Sequence, residues 1–69
     1  MKTTWTPEMD AELANLFHLA RTALARSGPE QPTRYERRLW AAREFERVHP
    51  EVGSTAAYKR LCRADGWAR

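Results

Sequence analysis

Prolines and glycines cut this chain into three pieces, and that punctuation limits the fold more than any other feature. All four prolines and all three glycines lie at the edges of segments whose apolar residues recur at helical spacing. Proline lacks a backbone N–H and disfavours helix in the residue before it. The stretches Ser27-Gly28-Pro29-Glu30-Gln31-Pro32 and His49-Pro50-Glu51-Val52-Gly53 are therefore breaks between helices. No segment reads as a strand. The expected fold is all-α: a compact three-helix bundle of helix-turn-helix type, helices near 7–26, 33–48 and 54–65, forming one trihelical domain over residues 1–69.

Each helix carries its own start signal. Thr6 fits an N-cap, Pro7 fits the first helical position, and Glu8, Asp10 and Glu12 complement the positive end of the helix dipole. Met9, Leu13, Leu16, Phe17, Ala20 and Leu24 then form one apolar stripe, with Asn15, His18 and Thr22 opposite. Trp5 is expected to fold back onto the core. Thr33-Arg34-Tyr35-Glu36 is a capping box for the second helix. There Ala41, Phe45 and Val48 make the inner stripe, Ala42, Tyr35 and Leu39 one flank, and Trp40 the other. So broad an arc suits a central helix, and the two alanines allow a close approach. Ser54 is the expected cap of the third helix, with Ala57, Tyr58, Leu61 and Ala64 inward. Gly66 and Trp67 stand where a left-handed C-cap and its apolar contact belong. The core is expected around Trp5, Phe17, Trp40, Phe45 and Leu61.

Composition narrows the function. A single cysteine excludes an intramolecular disulfide, and zinc patterns need more thiols. His18 and His49 sit on different elements, so neither a metal site nor any other cofactor is expected. His18 reads as exposed, His49 as interacting with the negative end of the second helix, and Cys62 as a partly buried filler. Met1-Lys2-Thr3-Thr4-Trp5 opens no secretory h-region, and no run is long enough to span a membrane. The expected location is the cytoplasm, at the nucleoid if DNA is bound, or the nucleus in a eukaryote. There is no glycine-rich phosphate loop and no Ser/His/Asp order. So short a chain hardly encloses a small-molecule substrate pocket, and an enzyme is not expected.

Charge points further. Residues 1–32 sum to −1, residues 33–69 to +4, and residues 53–69 alone to +3. A basic C-terminal third suits a polyanion. Short residues at the start of the third helix, Ser54, Thr55 and Ala56, let its backbone approach a groove. Lys59, Arg60 and Arg63 then supply long donors. Arg34, Arg37 and Arg38, at the start of the second helix, add candidate phosphate contacts.

The block Trp5-Thr6-Pro7-Glu8-Met9-Asp10-Ala11-Glu12-Leu13 resembles the opening of Myb/SANT-type DNA-binding repeats, W-[ST]-x-E-x-D-x-x-L. Trp40, with Ala41, Ala42 and Phe45, is similar to the tryptophan that begins the family's second helix and packs on the first. Tyr58 or Trp67 would fill the place of the aromatic on the third helix. The link from the Trp5 block to Trp40 is longer than in the usual repeat, as in trihelix or MADF variants. The resemblance implies a trihelical fold whose third helix reads DNA.

Two functions follow as expectations. The first is a small DNA-binding protein, a transcriptional regulator or mobile-element protein, with the third helix in the major groove of double-stranded DNA. The second is a phage- or plasmid-type protein that binds and inhibits or adapts a host nucleic-acid machine. The acidic patch Glu8-Asp10-Glu12, together with more aromatic residues than so small a core is expected to hold, motivates that protein–protein reading, in which a host protein or a second copy is the partner.

Overall fold

The first helix, α1, runs Pro7–Ala23. Thr6 caps it in extended conformation, its hydroxyl accepting the Met9 N–H at 3.1 Å, and Pro7 opens the first turn. These are the roles the local sequence assigns. The computed structural model describes residues 5–25 and 31–63 of the chain. Within them α1 stops three residues before the expected end at Arg26. Leu24 is the C-cap, and Ala25 donates to the Thr22 carbonyl at 3.2 Å, a tightened i to i−3 bond that closes the helix. The segment from Arg26 to Glu30 lies outside the described residues, as do Ala64, Gly66 and Trp67.

The second helix, α2, spans Arg34–Val48. Its capping box is complete: Glu36 N–H donates to the Thr33 hydroxyl at 3.2 Å, and Thr33 N–H to the Glu36 carboxylate at 3.0 Å. Two orphan donors of the first turn are thereby satisfied. His49 ends the helix with an N–H bond to Phe45 at 2.8 Å, just ahead of Pro50. The third helix, α3, spans Ser54–Arg63. With these three helices and no strand among the described residues, the chain is an all-α three-helix bundle.

The cap of α3 differs from expectation. Ser54 is the first helical residue rather than the cap, and Gly53 precedes it at φ +81°. That left-handed value suits glycine. The orphan Ser54 N–H donates to the Glu46 carboxylate at 2.9 Å, so α2 itself caps α3.

The central helix is α2, which packs broadly on both neighbours while α1 and α3 meet far less. Ala41 and Ala42 are fully buried, which permits that close packing. Around them lie Leu13, Phe17 and Ala20 of α1, Phe45 of α2, and Ala57 and Leu61 of α3. Trp5 does return to the core, its ring stacked on Phe45 at 5.4 Å. Trp5 and Trp40 are only partly buried and pack against the cluster from its edge. Two assignments need correction. Val48, read as part of the inner stripe, is 62% exposed. It is the last residue of α2, and Val52 of the following turn enters the core instead. Tyr35, read as a flank of the apolar arc, is 59% exposed. It stands in the first turn of α2, outside the cluster.

Candidate nucleic-acid interface

Among the described residues α3 has ten, Ser54–Arg63, and none of them is acidic. Ala57 and Leu61 face inward and Tyr58 is half-buried. At a rotation of about 100° per residue, Thr55, Lys59, Cys62 and Arg63 fall on the opposite side. All four are exposed. This strip is the outward surface of the helix. Lys59 and Arg63 stand one turn apart on it, so their charges reinforce each other.

Three residues expected on that surface are placed otherwise. Ala56 is half-buried and packs against the core. Ser54 is half-buried beside Glu46. The larger change concerns Arg60. Its Nε donates to one oxygen of Asp10 at 2.9 Å and a terminal nitrogen donates to the other at 2.8 Å. Its guanidinium also lies over the Trp5 ring, 5.4 Å from the centroid. A bidentate pair of this kind is the strong form of an Arg–carboxylate bond. The bond from Arg60 holds the Asp10 carboxyl below its ordinary range; desolvation opposes this, and the guanidinium charge assists. The same bond raises the Arg60 pKa further, again against desolvation. Arg60 is therefore a clasp between α3 and α1.

Two of the three acids at the start of α1 are likewise engaged by side chains from other parts of the fold. Asp10 holds Arg60, and Glu12 meets His49 Nε2 at 3.2 Å. Glu8 is exposed. His49 thus faces carboxylates: Glu12 on one nitrogen and Glu51, 3.6 Å away, on the other. Its ring also stacks on Phe45 at 4.5 Å. His49 is the C-cap of α2, so it stands at the negative end of that helix as expected, with these side chains as additional neighbours.

The arginines of α2 are split. Arg34 is exposed. Arg37 is half-buried, its guanidinium over the Phe17 ring at 4.9 Å, a cation–π contact. Arg38 is half-buried as well. Cys62, read as a partly buried filler, is exposed on the outward strip.

One feature escaped sequence reasoning. Between α2 and α3 lies a groove of about 330 Å³ lined by Tyr35, Leu39, Ser54, Thr55, Tyr58 and Lys59. Tyr35 and Tyr58 meet there edge to face, with centroids 5.9 Å apart. The signal was present: each helix carries an aromatic at the edge of its apolar arc. Periodicity alone did not say that the two edges adjoin.

Among the described residues no helix is long and apolar enough to cross a membrane, and no three His, Cys, Asp or Glu residues gather to hold a metal ion. Compared with protein-family models, curated proteins and solved structures, the chain matches none.

Proposed function

We infer that this protein binds nucleic acid, with double-stranded DNA as the expected ligand and the outward strip of α3 as the contact surface. The observation that carries the reading is the strip itself: Thr55, Lys59, Cys62 and Arg63 exposed together on a helix with no acid among its described residues. Thr55 is short enough to admit the backbone of a partner, while Lys59 and Arg63 reach phosphates or base edges. The resemblance to Myb/SANT repeats assigns the same helix to DNA. Arg60 contributes by holding α3 against α1 and Trp5, and so sets how the strip is presented. One such module makes few contacts, so useful affinity calls for dimerisation, a partner protein or tandem sites. The role would be that of a small transcriptional regulator or mobile-element protein. The protein–protein alternative has less support, because two of the three acids that motivated it are engaged within the fold.

The test is a fluorescence anisotropy titration with pooled random duplex at low salt. Binding should weaken with rising salt. Lys59→Ala and Arg63→Ala should each lower the log–log salt slope by about one unit if each meets a phosphate. No binding by the native chain at low salt would overturn the reading.

A further inference from the structure

The groove between α2 and α3 shares Thr55 and Lys59 with the outward strip, so the two form one continuous surface. None of its six lining residues is acidic, and Leu39 and two tyrosines are among them. Tyr35 is the informative member. It is 59% exposed and lies outside the buried cluster and the apolar side chains packed against it. Tyr58 supports it from the side, with ring planes at 71°. The fold thus holds an aromatic ring open to solvent beside a lysine, where core packing does not require it.

We propose that this groove takes one unpaired nucleobase, packed against Tyr35, from a strand whose phosphates run along Lys59 and Arg63. The proposal rests on the nucleic-acid reading above and adds to its phosphate contacts a site for one unstacked base, as an overhang, a bulge or a single strand would offer. Aromatic side chains beside a basic track are the usual means of holding single strands, because every base has a π-face. An apolar segment would fill the groove but leave Lys59 unanswered. An acidic peptide would answer Lys59 yet use Tyr35 only as apolar area. A nucleotide answers both, with its base on the ring and its phosphate on the ammonium.

The experiment compares a short oligothymidylate with an abasic strand of equal length and the same backbone, each titrated against the full chain. The thymidylate should bind about tenfold tighter, within the range of one base–aromatic stack. Tyr35→Ala should erase that advantage while leaving abasic affinity unchanged, and Tyr35→Phe should keep it. Circular dichroism should find both variants folded, since Tyr35 lies outside the core. Equal affinity of the native chain for the two strands would overturn the groove proposal and leave the phosphate-binding reading standing. An advantage that persists in Tyr35→Ala would overturn the groove as its source. Poly-L-glutamate binding that depends on Tyr35 would make the groove a peptide site, against the proposal. Binding of no strand and no duplex would overturn both readings.

Discussion

Arg60 and Asp10, fifty positions apart in the chain, meet through two hydrogen bonds of 2.9 and 2.8 Å. The pair joins the outer half of α3 to the first turn of α1, two helices that otherwise touch little. Each side chain is about one-third exposed, so solvent screens the pair. Asp10→Asn is expected to destabilise the fold by roughly 1 kcal/mol, the upper part of the range for such pairs. Because folding lowers the Asp10 pKa from 3.8, the folded state binds fewer protons in that region and stability rises with pH there. The contribution is full above 3.8 and is lost as pH falls through the lower folded value. Urea midpoints of the native chain and Asp10→Asn should therefore converge under strong acid. A gap that stays constant with pH would contradict the assignment.

Gly53 adopts φ +81° at the entry to α3. A Cβ there would meet only ordinary contact, 3.8 Å from the Glu46 carboxylate, so the cost of Gly53→Ala comes from the backbone conformation. That cost is about 1–2 kcal/mol. Equilibrium denaturation should show a lower midpoint with an unchanged slope.

Glu46 supplies the cap that Ser54 does not supply for itself. Replacing Glu46 with Ala should cost about 1 kcal/mol, as loss of an N-cap does. Glu46→Gln keeps an acceptor and should cost less. Amide exchange at Ser54 should accelerate in the alanine variant, whereas the capping box of α2, built on Thr33 and Glu36, should be unaffected.

Cys62 is exposed on the outward strip between Lys59 and Arg63. An alkylating reagent should modify it in the folded protein without prior unfolding. If α3 lies against nucleic acid, saturating duplex should slow that modification several-fold, and Lys59→Ala with Arg63→Ala should restore the rate by abolishing binding. Mass spectrometry of timed aliquots gives both rates. Equal rates with and without bound duplex would place the contact elsewhere.

Local signals in the sequence determined the helices and much of the core. An N-cap, a capping box or a helix-stopping proline acts over three or four residues, so Thr6-Pro7, Thr33 with Glu36, and His49-Pro50 could be read without knowing what lies across from them. The stripe through Leu13, Phe17 and Ala20 was legible for the same reason, since burial follows a period of 3.6 residues. At Val48 the pattern and the burial part, because periodicity continues to the end of a helix while burial also depends on a neighbour being there.

Only the tertiary structure decided which charges face outward. Arg60 and Arg63 differ by roughly 60° around α3 on a 100° helical rotation, and that angle turns one toward Asp10 and leaves the other in solvent. Glu46 at the start of α3 and the adjoining edges of Tyr35 and Tyr58 also depend on how α2 lies against α3. A long polar side chain has several directions open to it along an isolated helix. The packed neighbour selects one of them, and that neighbour belongs to a distant part of the chain.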